Sequence, residues 1–294
     1  MPMYRRILAA IDFSDASVDA LRWTADSFPD AEITLFHAIE TLRPPVYLRQ
    51  VMGSDAEFEL ERELDVRGNL EHLAEECGIE PRISLARGWA PRRINQAAEE
   101  SDSELIVVGA HTRRIWPLDA PGATASKIAD KSSRPVLVWR RSTTAAAVEP
   151  RTLLAALDLR EGSEPIAEMA ARAALHFGAR LLLLHVVSPT LQAYLRAVSS
   201  PVKVEEAFQQ VQGGAREEAL CQLPEELRDA LEVQAIVVRG RPMTQILTLA
   251  ENESADFIII GQRHAPTRTG RVLLGRVTEI VLREANCSVL VIPV

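Results

Sequence analysis

The stretch RRILAAIDFSDASVDALRWTADSF, Arg5 to Phe28, runs a short apolar segment into an aspartate and then into a helical pattern, and it decides the fold because it occurs twice. Its second copy is RTLLAALDLREGSEPIAEMAARAALHFGA, Arg151 to Ala179. The correspondence continues along the chain. EITLFHAIE (Glu32 to Glu40) matches RLLLLHVVSP (Arg180 to Pro189), which places His37 and His185 at equivalent points near the end of a second strand. ISLARGWAPRRINQAAEESDSELIVVGAH, starting at Ile83, matches AIVVRGRPMTQILTLAENESADFIIIGQRH, starting at Ala235, so that Gly88 corresponds to Gly240 and Gly109 to Gly261. The closing pair is GATASKIADKSSRPVLVW from Gly122 and GRVTEIVLREANCSVLVIP from Gly275. A repeat of half the chain length points to duplicated domains.

Each copy reads as β-α-β-α-β-α-β-α-β. The strands are short, rich in Val, Ile and Leu and without strict alternation, as expected when helices cover both faces of a parallel sheet. The fold class is therefore α/β: two doubly wound, Rossmann-like domains in tandem, each with a five-stranded parallel sheet. Residues 1–143 are expected to form the first domain, 144–150 a linker within RRSTTAAAVEP, and 151–294 the second. Gly78 and Gly178 follow helical segments and suit left-handed C-terminal caps. Two irregular connections, Leu42 to Asp55 and Ser188 to Pro201, follow the second strands. The closing strands PVLVW (Pro135 to Trp139) and SVLVIP (Ser288 to Pro293) are apolar enough to be hazardous as open edges, which predicts an intramolecular pseudo-dimer, with a further homodimer left open.

Composition narrows the function. The 294 residues carry a formal charge of −8, which disfavours a general nucleic-acid binder. No apolar run approaches the roughly 20 residues of a membrane span, and the amino terminus lacks a secretory apolar region, so a cytoplasmic location is expected. Three cysteines, Cys77, Cys221 and Cys287, lie far apart with no CxxC spacing and read as free thiols. No HExxH, GxSxG or Walker A lysine motif occurs. No catalytic residue and no metal ligand is assigned.

In an open parallel sheet, ligands bind beyond the carboxyl ends of the strands, where neighbouring connections depart to opposite faces. The residues with special backbone chemistry there are Asp12, with Ser14 nearby, Asp158, and the glycine turns at Gly109 and Gly261. Gly122 and Gly275 stand where the next helices begin, and helix amino termini offer unpaired N–H groups to an anion. The aspartates serve equally as helix caps. His37 and His185 read as structural histidines inside apolar strands.

At these residues the chain resembles the universal stress protein family in its tandem form, and the resemblance covers nearly the whole sequence. Nucleotide-binding members of that family carry a glycine, two residues, a glycine, nine residues, a glycine and then serine or threonine. GAHTRRIWPLDAPGA keeps this spacing with Gly109 and Gly122, but Thr112 replaces the middle glycine and Ala123 the serine, with Thr124 next to it. GQRHAPTRTGRVLLGR keeps Gly261 and Gly275, but His264 replaces the middle glycine, the loop is one residue longer, and Arg276 replaces the serine. The resemblance further implies that Ile11 and Asp12, with Asp158, lie near a nucleotide, and that Ala38 and Val186 lie on its adenine side. It implies a cytoplasmic stress-response protein that binds ATP or another adenine nucleotide as a regulatory ligand, with Mg carried by it. Arginines concentrate in the two signature loops (Arg113, Arg114, Arg263, Arg268, Arg271, Arg276) of an otherwise acidic chain, which an anionic ligand explains and a solvated, merely arginine-rich loop explains equally. The first half, with its spacing intact, is expected to hold the nucleotide more tightly. A protein-interaction scaffold with drifted sites and a slow ATP-hydrolysing enzyme are the alternative readings, and the protein partner is unknown.

Overall fold

The computed structural model describes residues 3–40, 55–110, 123–140, 150–189, 193, 201–262, 264–266 and 272–294. The chain separates into two compact units, Pro2–Trp139 and Arg140–Val294.

The first unit contains β1 (Arg6–Ala10), α1 (Asp15–Ser27), β2 (Glu32–Ile39), α2 (Asp55–Glu76), β3 (Arg82–Arg87), α3 (Ala90–Glu100), β4 (Leu105–Gly109), α4 (Ala123–Ala129) and β5 (Val136–Trp139). Its strand order is β3-β2-β1-β4-β5, and every neighbouring pair is parallel. From β1 the chain winds outward through β2 to β3, and from β4 it winds the other way to β5. The direction of winding therefore reverses between β1 and β4, and the crevice of a doubly wound fold opens at that point.

The second unit repeats the plan. It contains β6 (Thr152–Leu157), α5 (Glu164–Phe177), β7 (Arg180–Val187), α6 (Pro201–Cys221), α7 (Glu225–Asp229), β8 (Val233–Arg239), α8 (Pro242–Asn252) and β9 (Phe257–Gln262), then β10 (His264–Pro266), β11 (Val272–Leu274), α9 (Arg276–Glu284) and β12 (Ser288–Pro293). The order β8-β7-β6-β9-β12 is parallel throughout and reverses between β6 and β9. Two elements go beyond the expected plan. One is the single turn α7. The other is an antiparallel ladder in which His264 pairs with Leu274, Ala265 with Leu273 and Pro266 with Val272. The ladder lies inside the longer signature loop, and the extra residue there is the only trace of it in the sequence.

The apolar runs become strands because both faces are covered. All six residues of β9 are buried, as are the first four of β6. Leu21 of α1, Leu35 of β2 and Leu70 of α2 share one core and are fully buried. Phe208 of α6 packs with Val187 and Val237 in the other unit. Helix ends follow local chemistry. Gly178 caps α5 in the left-handed conformation at φ 62°, and Gly78 takes φ 65° beyond α2. α1 ends without a glycine, at Phe28, whose ring meets Trp23 and Tyr4 edge-on at 5.8 and 5.7 Å. The three cysteines are free thiols.

Candidate ligand site

In the first unit the crevice is built around Gly109, the last residue of β4. A Cβ there would stand 2.5 Å from the carbonyl carbon of Ala16 and from the amide nitrogen of Ser17. The missing side chain thus lets the first turn of α1 lie directly on the strand end. Gly109 does not take a positive φ, and neither does Gly261, so what requires a glycine at these two positions is the close approach of a helix rather than left-handed backbone. At Gly261 a Cβ would meet Cδ1 of Ile166, in α5, at 2.5 Å. The two glycines hold equivalent helices in equivalent places.

Asp12 does not cap α1 itself. Its Oδ1 accepts from the Ser14 hydroxyl at 2.6 Å and the Ser14 amide at 3.0 Å, and Ser14 is the cap, its Oγ accepting from the Ser17 amide at 3.2 Å. Asp158 does the same work over a longer turn, accepting from the Ser163 hydroxyl at 2.7 Å and the Arg160 amide at 3.3 Å. Between each aspartate and its helix, a bulky residue is held in the left-handed region: Phe13 at φ 61° and Leu159 at φ 53°. Such a conformation costs about 1–2 kcal/mol outside glycine. It persists because the aspartate turn and the helix start fix it from both sides.

The histidines are held through one ring nitrogen to the neighbouring strand end. His37 donates from Nδ1 to the Ile11 carbonyl at 2.7 Å, and His185 donates from Nδ1 to the Leu157 carbonyl at 2.9 Å. A carbonyl only accepts, so Nδ1 is the donor in both bonds. Phe13 lies against the His37 ring, with centroids 5.1 Å apart.

In the second unit the crevice encloses a cavity of about 910 Å³. It collects Asp158, Val186, Gly261, Gly275 and Arg276, all of the site residues expected in that half. Its walls are mainly apolar, from Leu157, Ile166, Ile246 and Ile260, and its polar edge includes His185, Arg160 and Thr278. Gly275 is the N-cap of α9, with no side chain to satisfy the first-turn amides, and Arg276 is the first helical residue. Thr278 is buried, and its hydroxyl donates to the Gly261 carbonyl at 3.0 Å, tying α9 to the end of β9. Sequence reading missed Arg160, Ile246 and Thr278. Arg160 was within reach as the second residue after the repeated aspartate, whereas Ile246 and Thr278 reach the cavity only through the packing of α8 and α9.

Of the residues expected in the first half, Ile11 is buried beyond β1, its amide donating to the Phe36 carbonyl at 2.8 Å, while Ala38 lies near the end of β2, with Asp12 and Gly109 at the ends of the two central strands. Ala123 opens α4 and Thr124 is exposed. Thr112 and Gly122 lie outside the described residues, as do His111, Arg113, Arg114, Arg263, Arg268 and Arg271. Among the described residues no group of three or more His, Cys, Asp and Glu side chains is placed to hold a metal ion, and no helix is long and apolar enough to cross a membrane.

The chain is a duplicated, doubly wound α/β domain, with a cavity at the switch point of the second copy. The family model of the universal stress protein family matches twice, over residues 3–140 and 150–293, and the chain belongs to that family as a tandem of two such domains. A universal stress protein of Thermus aquaticus is 30% identical over 151 residues, which is 48% of this chain and 98% of the relative. One from Methanocaldococcus jannaschii is 38% identical over 93 residues, 30% of this chain, and the match spans 57% of the relative's length. The crystal structure of a universal stress protein from Archaeoglobus fulgidus covers 98% of both chains at 20% identity with a TM-score of 0.66, a likeness of fold.

Proposed function

We propose that the protein is a cytoplasmic stress-response regulator that binds an adenine nucleotide at the switch point of its sheets, with occupancy biasing the surrounding loops and their partner contacts. The observation that carries this reading is the cavity of the second unit, which brings Asp158, Val186, Gly261, Gly275 and Arg276 around one space. The repeat sets Ile11, Asp12, Ala38 and Gly109 at the equivalent strand ends of the first unit. The aspartate suits a ribose hydroxyl, the histidine ring at the strand end suits a polar group on the ligand, and the apolar walls suit a base. ATP, with Mg held by its phosphates, is assigned to the first half, where the signature spacing is intact; Thr112, Gly122, Ala123 and Thr124 would face it there. Pairing of the two closing strands, expected from their apolar sequences, belongs to the same proposal. Cleavage within 144–150 followed by native mass spectrometry tests that pairing, and separation of the two fragments would count against it.

The nucleotide reading is tested by precipitating freshly purified protein with acid and chromatographing what is released. Adenine nucleotide in a fixed ratio to protein is expected. Protein that releases none, and that shows no heat with millimolar ATP, would leave the scaffold reading in its place.

A further inference from the structure

The outer side of α2 carries a stripe that neither the core nor the crevice uses. Leu60 and Leu64, one turn apart, are 58% and 60% exposed, whereas the same helix buries Leu70, Leu73 and Ala74 in the core of the first unit. A single exposed leucine is ordinary, but two at i and i+4 present one continuous apolar edge. Their row continues through Arg67 to Glu71 and Glu75, and Glu61 and Asp65 flank the leucines, all of them exposed. None of these four carboxylates is ion-paired with a described residue. The salt bridges of α2 run instead from Glu59 and Glu63 to Arg87, and from Glu76 to Arg22 and His72.

The duplicated half shows that the fold does not need this stripe. α2 ends at Glu76 and α6 at Cys221. In that register Ala74 and Ala219 are both buried, and Glu63, paired with Arg87, matches Phe208, stacked on Arg239. Leu60 then corresponds to Glu205 and Leu64 to Gln209. There the positions are polar and engaged: Glu205 pairs with Arg239 at 2.8 Å and accepts from the Gln209 side-chain amide at 3.1 Å.

We infer that the leucine stripe of α2 is a docking face for a basic amphipathic helix of another protein. The inference is independent of the nucleotide reading. The row from Leu60 to Glu75 is roughly 22 Å long, which matches about fifteen helical residues of a partner. The leucines anchor the partner's apolar face, and the unpaired carboxylates select lysine and arginine around it. A second copy of the chain does not suit the same face. Two copies would set the same carboxylates against each other, and two leucines a side fall well short of the roughly 1,000 Å² that a stable pairing buries. The small apolar area also makes the contact with a basic helix a weak one that depends on charge.

The test uses the intact chain and a fluorescein-labelled peptide of about 16 residues, long enough to hold a helix, built of lysine with a stripe of leucine at helical spacing. Its binding is followed by fluorescence anisotropy. Saturable binding at micromolar concentration is expected, weakening as salt is raised. Leu60→Glu with Leu64→Gln introduces the residues that α6 carries at the matching positions, and it should weaken the peptide about tenfold. The added carboxylate would tighten a contact made by charge alone, so a loss of affinity reports the leucines. The melting temperature of this variant is expected to match wild type, because both side chains are exposed. Leu60→Ser with Leu64→Ser is the second pair should the first not fold, with the same expected loss. Glu61→Gln with Asp65→Asn should also weaken the peptide at unchanged melting temperature. Absence of binding, affinity left unchanged or raised in the leucine variants, or equal binding of an all-lysine peptide would overturn the inference. So would a melting temperature lowered in both leucine variants, which would return these side chains to the fold. Self-association of the wild type that Leu60→Glu with Leu64→Gln abolishes would likewise overturn it, by giving the face to a second copy.

Discussion

A methyl group added at Gly109 would press on the backbone of α1, 2.5 Å from Ala16 and Ser17, and backbone in a capped helix cannot step aside as a side chain does. Gly109→Ala is therefore expected to destabilise the chain by about 1–3 kcal/mol, the ordinary scale of overpacking. At Gly261 the obstacle is Cδ1 of Ile166. Gly261→Ala should cost less, and removing that methyl with Ile166→Val should recover part of the loss. Urea unfolding of the two single variants and the Gly261/Ile166 double variant measures both; equal costs at the two glycines would contradict the packing account. Cys287 supplies a prediction on pH. Burial raises its thiol from 9.0 to about 11. The folded protein thus holds this proton more tightly than the unfolded chain does, so the stability it contributes is complete below pH 9 and falls as pH rises from 9 to 11. Burial also raises Tyr4, in the same destabilising direction at still higher pH. Cys287→Ala should flatten the decline between pH 9 and 11. At pH 8 a disulfide reagent should react with the exposed Cys221 and spare Cys287.

The helices show what periodicity reads and what it cannot. α6 contains Gly213 and Gly214 in its interior, with helical backbone, and a side-chain methyl at either position would meet nothing within 4 Å. Neither space nor φ requires a glycine at these two positions. Gly213→Ala and Gly214→Ala are each expected to stabilise by about 0.5–1 kcal/mol and to raise the melting temperature, because alanine loses less backbone freedom on folding. No change in either variant would mean that the unfolded chain already holds this segment in order. At α1, Ser14→Ala removes the cap on the Ser17 amide and should cost about 1 kcal/mol, read in the same unfolding experiment. The core elements of each half were legible because apolar runs of strand length alternate with helical periods and the whole pattern occurs twice. The β10–β11 ladder was not legible. Three-residue strands carry no period, and the longer loop between Gly261 and Gly275 read only as a departure from the expected spacing. The packing roles of Gly109 and Gly261 were likewise hidden, since a glycine at a strand end does not show in sequence which helix lies against it.

For the whole molecule, duplication explains why one chain can keep two switch points and let them diverge. Both units preserve the aspartate turn, the left-handed residue after it, the Nδ1-bonded histidine and the packing glycine. They differ in the signature loop, where Thr112 and Ala123 depart from the pattern in the first and His264 and Arg276 in the second. If the first half is the ATP site, restoring its signature with Thr112→Gly and Ala123→Ser should tighten ATP about tenfold, a difference of about 1.4 kcal/mol. Calorimetric titration of ATP with Mg into the intact chain, alongside this restored variant, is the most direct measurement of the central claim. The account predicts one ATP per chain in both proteins, with the restored variant the tighter. Absence of heat in both at millimolar ATP, from protein that carried no nucleotide through purification, would contradict it.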